Sequence, residues 1–346
     1  MNLDDRVHGC LLGGACGDAL GAPVEFLQAD EIIARYGRSG IIEFDEAYGV
    51  MGAITDDTQM ALFTVEGLIR AAIRASSKGI SHPPGVVHHA YRRWFITQTM
   101  DFESGRDLVD GWLALDRRLW VRRAPGHTCL SALREERPFG SPAVNDSKGC
   151  GTVMRDAPFG LAFDPRRAFD LAREAAHTTH GHPNAGYSSA ALAAIIAYVM
   201  RGQSLLVAVR SALDLLQEAA MATEVRRAVD EAVEVGSSAD WKARLPELGE
   251  GWVAEEALAI AVACALGSSG AEEAIVTAVN HSGDSDSTGA ITGNLVGAIH
   301  GVSSLPRRWR EQVELSDVIG TLAQDLANVV AARVDPETLW DRYPGW

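Results

Sequence analysis

The chain has 346 residues, 47% apolar and 22% charged, proportions of an ordinary globular protein that exclude disordered, collagen-like and disulfide-dense classes. Its length allows two domains or one large one. With 46 acidic against 31 basic residues the formal charge is -15, the wrong sign for tracking phosphate backbones or an anionic membrane surface, so neither nucleic acid nor membrane is an expected partner.

The N-terminus, Met1-Asn2-Leu3-Asp4-Asp5-Arg6, carries acid where an export signal needs a basic segment and an apolar run. Cys10, Cys16, Cys129, Cys150 and Cys264 form an odd set without a C-x-x-C pair, as expected of reduced thiols in a cytoplasmic protein. Gly9, Gly13, Gly17 and Gly21 recur every fourth residue and so share one helix face. Each interior glycine costs ~1 kcal/mol relative to alanine, which calls for compensation by close approach of another backbone or of a ligand. The run Gly40-Ile41-Ile42-Glu43-Phe44 is the only β-like stretch, and it is too isolated to build a sheet; an ordered loop is expected. Thr55-Asp56-Asp57-Thr58 precedes the apolar stripe Leu62, Val65, Ile69 and Ile73 and reads first as a capped helix start, with acids complementing the dipole. Adjacent carboxylates also repel, which is costly in a cleft without a cation.

Further helices are predicted near 84–99, 108–121, 165–180, 205–220, 224–235, 253–266, 271–280, 287–300 and 318–333, and Leu192, Ile195, Ile196 and Val199 mark another. The apolar stretch 185–200 is short of the roughly 20 residues that span a bilayer. Breaks at 79–85, 138–151 and 245–251 are too short to link autonomous domains, so an all-α fold in one domain over 1–346 is expected. His177, His180 and His182 stand at a helix end without cysteine partners, where complementing the dipole is favoured over zinc.

A second acidic block, Gly283-Asp284-Ser285-Asp286-Ser287-Thr288, opens a segment with glycines at 289, 293, 297 and 301. As a calcium loop it fails, because Leu295 stands where the bidentate glutamate belongs. What remains is two carboxylates and a hydroxyl, the hard oxygen donors that magnesium or manganese prefers. If the two acidic starts meet, Asp56, Asp57, Asp284 and Asp286 gather four negative charges that two divalent cations would neutralise. Such a pair could polarise a sugar oxygen and activate water. No phosphate-binding loop, zinc-protease motif or serine elbow is found, and Met154 occupies the third glycine position of a dinucleotide fingerprint begun by Gly149-Cys150-Gly151. Trp340, Tyr343 and Trp346 are expected to pack the tail onto the fold rather than to form a contact patch.

Four blocks in this order resemble the ADP-ribosylglycohydrolase family: Gly13-Gly14-Ala15-Cys16-Gly17-Asp18-Ala19-Leu20-Gly21-Ala22-Pro23-Val24-Glu25, then Thr55-Asp56-Asp57-Thr58, then Gly149-Cys150-Gly151-Thr152-Val153-Met154-Arg155, then Gly283 to Thr288. The resemblance runs from Arg6 to Gly301. It implies a compact all-α fold with two magnesium or manganese ions at the base of a cleft that holds ADP-ribose. By position, Thr55, Asp56 and Asp57 match the first metal-binding block, and Asp284, Asp286 and Ser287 the second, with Thr288 a neighbouring candidate. Glu25 matches an acid beside the metals. Ser147, Gly149 and Gly151 match a loop cradling the diphosphate and ribose, and Thr179-His180 a pair near the distal part of the ligand. Glu25, Asp57 and Asp286 are the expected catalytic acids. Cys150 stands where the family often has asparagine, and 124–128 lacks an acid that some arginine-specific members carry. The implied activity is metal-dependent removal of ADP-ribose from protein side chains, with arginine the favoured acceptor. The alternatives are serine-linked, acetyl-ester or nucleobase-linked ADP-ribose, or a non-catalytic ADP-ribose-binding or immunity protein.

Overall fold

The computed structural model describes residues 2–345. Its first helix, Leu3–Gly21, starts at Asn2, whose side chain accepts from the Asp5 N–H at 2.8 Å, with Asp4 and Asp5 at the positive end of the dipole. This helix lies antiparallel on Ser285–His300, and the two glycine stripes face each other. A Cβ on Gly13 would sit 2.3 Å from Gly293 O, one on Gly17 2.0 Å from Gly289 O, and one on Gly21 2.5 Å from the Asp286 Cα. Helix-on-helix contact is therefore what offsets the glycine cost. Asn294 Nδ2 donates across the seam to Cys10 O at 2.8 Å, and Arg6 Nε to Ala298 O at 2.7 Å. The register sets the end of the first helix beside the start of the second.

Asp56–Lys78 buries Leu62, Val65, Ile69 and Ile73 and stops at Gly79, a left-handed cap with φ 72°. Pro83–Thr99 packs against it. Pro183–Met200 and Ala254–Gly267 are almost wholly buried and run through the centre. One connected apolar core reaches from Val7 to Tyr343. The only strands among the described residues are Glu46–Ala47 and Val50–Met51, a ribbon turned by Tyr48 and Gly49 at φ 53° and 77°. Residues 41–44 form a loop as expected; the Asn280 amide holds it, donating to Ile41 O at 2.8 Å and accepting the Ile41 N–H at 2.7 Å. All five cysteines are free thiols, and no helix among the described residues is long and apolar enough to cross a membrane.

The predicted helix at 108–121 does not form; only the short turns Arg106–Leu108 and Arg117–Leu119 are helical there. Tertiary bonds claim this backbone. Buried Arg70 donates to the Asp110 side chain at 2.9 Å and to its carbonyl at 3.0 Å, Gly111 takes φ 81°, and the Trp112 N–H donates to Arg342 O. The helix begun at Pro165 ends at Ala176, which turns Thr179 and His180 into the interior. Ala29–Tyr36 and His127–Arg134 are short helices that periodicity did not indicate. In the tail, Tyr343 is buried and its hydroxyl donates to Asp325 Oδ2 at 2.7 Å, whereas Trp340 is partly exposed. Trp346 lies outside the described residues.

Candidate active site

The two acidic helix starts meet, and a residue with no assigned role in the sequence holds one of them. Asp18, on the first helix and fully buried, accepts the N–H groups of Thr55 at 3.0 Å and Thr58 at 3.1 Å and the Thr58 hydroxyl at 2.5 Å. It thereby satisfies donors that the Asp56–Lys78 helix leaves free at its start. Thr55 is buried behind that start, its Oγ1 accepting from the Asp57 N–H at 3.3 Å. Asp56 Oδ2 accepts the Gly126 N–H at 3.1 Å. Across the seam, Asp284 caps Ser285–His300, accepting the Ser287 N–H at 3.3 Å, and its other oxygen takes the Cys150 thiol at 2.7 Å. Helix phase separates the hydroxyl doublet. Ser287 Oγ points toward Cys150 Sγ at 3.6 Å and lines the cleft. The Thr288 hydroxyl faces the far side, 2.8 Å from the Ala278 carbonyl oxygen and 2.9 Å from His281 Nε2, so of the two only Ser287 presents oxygen to the cleft.

Glu25, Asp56, Asp57, Asp284, Asp286 and Ser287 converge on a cleft of about 210 Å³ whose other wall carries Gly149, Gly151, His180 and Trp252. Burial pushes Glu25, Asp56, Asp57 and Asp286 up. Glu25 rises to about 9, first by desolvation and then by repulsion from Asp284 and Asp56, and Asp56 rises to about 8, again led by desolvation. Asp57 and Asp286 stand well above the carboxylate range for the same leading reason, and Asp18 rises to about 6 despite its hydrogen bonds. Glu25 Oε2 and Asp57 Oδ2 are buried without a hydrogen-bond partner. So many crowded carboxylates with unmet oxygens are costly to ionise together unless positive charge joins them. Among the described residues no three or more histidine, cysteine or acidic side chains stand in a ready-made metal cage; the acids floor an open cleft. The three histidines considered for zinc are separately engaged: His177 with the His180 carbonyl, His180 with Thr179, and His182 as a helix cap.

The opposite wall is built to meet a ligand. Its loop is fastened to the start of Ala254–Gly267: the Cys150 N–H donates to Trp252 O at 3.2 Å, the Ala254 N–H donates to Lys148 O at 2.8 Å, and Lys148 pairs with Glu255. Ser147 shares a hydrogen bond of 3.0 Å with Thr128, which lines the cleft. His180 Nε2 faces the glycines, 3.5 Å from where a Cβ on either Gly149 or Gly151 would stand. Burial, reinforced by Arg155, lowers His180 to about 3, so the ring is neutral. Arg155 Nη2 donates to Thr179 Oγ1 at 2.6 Å, and Thr179 Oγ1 shares a hydrogen bond of 2.9 Å with His180 Nδ1. His180 Nε2 is thereby aimed at the cleft. A larger cavity, about 580 Å³, lies behind the Gly249–Glu250 turn beside Arg38, Lys242 and His281. It contains one acid, Glu250, and none of the converging carboxylates, so the smaller cleft is where chemistry is concentrated.

A helical scaffold with two acidic helix starts at the floor of one cleft is what the resemblance of the four sequence blocks implied. The family model described as ADP-ribosylglycohydrolase matches residues 1–336, and the chain belongs to this family of hydrolases acting on glycosyl bonds. It is 24% identical to the ADP-ribosyl-[dinitrogen reductase] glycohydrolase of Rhodospirillum rubrum, over 91% of this chain and 92% of that one. It is 26% identical to the ADP-ribosylarginine hydrolase Tri1 of Pseudomonas putida (strain GB-1), over 93% of this chain and 78% of the relative. Among solved structures it is similar to an ADP-ribosylglycohydrolase-related protein complex, with a TM-score of 0.69, 28% identity, and coverage of 95% of this chain and 99% of that one.

Proposed function

We propose that this chain is a divalent-cation-dependent hydrolase that releases ADP-ribose from modified arginine side chains of cytoplasmic proteins. The observation that carries the reading is the pair of unmet buried oxygens, on Glu25 and Asp57, among acids that burial and mutual repulsion hold above their ordinary range. Asp56, Asp57, Asp284, Asp286 and Ser287 are the oxygen donors that would hold magnesium or manganese, with Thr55 bracing the first start from behind. When bound, such ions supply the charge that lets these carboxylates ionise together and that polarises a ribose oxygen or water.

Each remaining role belongs to a side chain already in place. Glu25, beside the acid floor, is the carboxyl placed to pass a proton to the departing guanidine nitrogen. Asp57, with one oxygen free, orients or deprotonates the attacking water, and Asp286 shares the charge. His180 meets ADP-ribose through Nε2, and Gly149 and Gly151 let the ligand approach the backbone. The name of the Pseudomonas relative, an ADP-ribosylarginine hydrolase, and the acidic floor, which suits a cationic leaving group, both support arginine. Purified protein incubated with an arginine-ADP-ribosylated protein should release free ADP-ribose, lose that activity in chelator and regain it on adding magnesium. Undiminished release in excess chelator would overturn the cation requirement.

A further inference from the structure

Four arginine side chains are buried among the described residues, and three of them meet a carboxylate directly: Arg70 and Arg93 pair with Glu66 at 2.9 and 2.5 Å, and Arg123 pairs with Glu314 at 2.5 Å. Arg155, completely enclosed, is the exception. Its ion pair with Asp156 Oδ1 spans 4.0 Å, and burial lifts the Asp156 carboxyl itself to about 7. An enclosed charge so weakly matched costs stability, and its hydrogen bonds show where it is directed. The guanidinium lies over the Tyr91 ring, 4.3 Å from the centroid, reaches Cys129 Sγ at 3.4 Å with Nη1, and donates from Nη2 to Thr179 Oγ1 at 2.6 Å. Thr179 Oγ1 shares its hydrogen bond of 2.9 Å with His180 Nδ1, and the far nitrogen of that ring faces Gly149 and Gly151. Arg155 also closes the short helical turn Cys150–Arg155, which starts at the glycine loop. One segment therefore carries the glycines and, through Thr179, holds the imidazole that faces them.

We infer that Arg155 is a positioning residue for ADP-ribose, holding His180 against the glycine loop by way of the Thr179 hydroxyl. The inference rests on the reading above that ADP-ribose meets His180 and that loop. Arg155 itself stands behind the wall, with Cys129 and His180 lining the cleft in front of it. A guanidinium stays charged even when enclosed, and a hydrogen bond from an ionised donor is shorter and roughly twice as strong as one between neutral groups. Thr179 Oγ1 also lies 3.4 Å from the Ala176 carbonyl oxygen, so loss of the guanidinium leaves the hydroxyl a competing partner at the helix end. An imidazole that is no longer held must be ordered when the ligand binds. The cost then falls on affinity rather than on the chemical step.

The test titrates ADP-ribose by calorimetry, with magnesium present, into the unmodified protein, Arg155→Met, Arg155→Lys, Thr179→Val and the double variants that join each arginine substitution to Thr179→Val. Circular dichroism checks the fold. Arg155→Met is expected to raise Kd about tenfold, the scale of one hydrogen bond to a charged group. Arg155→Lys, which keeps the charge without the fork, should raise it by a smaller factor. With the arginine-linked substrate KM should rise in parallel while kcat stays nearly unchanged. Because the arginine acts through the hydroxyl, adding Thr179→Val to either arginine variant should cost little beyond the larger single loss. Losses that multiply in the double variants, an unchanged Kd in every arginine variant that folds, or failure of both arginine variants to fold would overturn the role and leave Arg155 as scaffold. If the unmodified protein bound no ADP-ribose, the proposed function would fail and this inference with it, an outcome visible before any variant is read.

Discussion

The glycine seam and the mouth of the cleft meet within a few residues, between Gly21 and Phe26, and are built on opposite terms. Along the seam two backbones touch with no room for a single added carbon; at the mouth, Phe26 and Trp252 have room on several sides. The seam contains no chemistry, yet its register sets Asp286 beside Gly21 and Asp18 against the Asp56–Lys78 helix, so it determines where the acids converge. The exposed pair at the mouth bears on none of these contacts. A rigid contact thus fixes where the acids converge, and the open mouth is left without such constraint.

The harshest way to break this contrast is to put a side chain into the seam. Gly293→Val would set a Cβ 1.9 Å from Gly13 O with only backbone around it, beyond the overpacking of ~1–3 kcal/mol that cores absorb. Little folded protein is expected, read by thermal melting and circular dichroism; a near-normal melt would mean that the seam is softer than drawn. Next in size is Asp57→Asn, which should cut turnover by roughly 10² to 10⁴ and leave the fold intact, with the cation-free protein melting higher at neutral pH because a buried carboxyl that the unfolded chain would ionise is gone. The smallest effect sharpens the opposite wall. Thr179→Val removes the hydroxyl that orients His180, and a several-fold rise in KM with little change in kcat is expected from steady-state rates; a loss confined to kcat would instead place His180 in the chemical step.

Much of this arrangement can be read from spacing. Glycines at every fourth position declare a bare helix face, and a pair of acids ahead of an apolar stripe declares a helix start, because both signals are local. Asp18 shows where locality ends: its partners are Thr55 and Thr58, and nothing in its neighbours distinguishes it from a chance acid on a helix of small residues, save that an acid on an otherwise buried face needs such partners. The unformed helix at 108–121 fails for the same reason, since its backbone is claimed by Arg70 and Arg342. The choice between Ser287 and Thr288 depends on helix phase, which a doublet of hydroxyls does not reveal. Phe26 and Trp252 stand far apart in the chain, and only folding makes them a pair.

Thermal melting at two pH values, with and without magnesium, distinguishes convergent carboxylates that seat divalent cations from ones that serve the fold alone. Glu25 near 9 and Asp56 near 8 in the folded protein lie above the roughly 4 of an unfolded chain. Between those values the folded state keeps protons that the unfolded state has lost, so without cation the melting temperature should fall as pH rises from 5 to 8. Magnesium should restore it, by much more at pH 8, where fewer protons must be displaced, than at pH 5. A melting temperature at pH 8 that magnesium and manganese both leave unmoved would mean that the acid floor holds no cation.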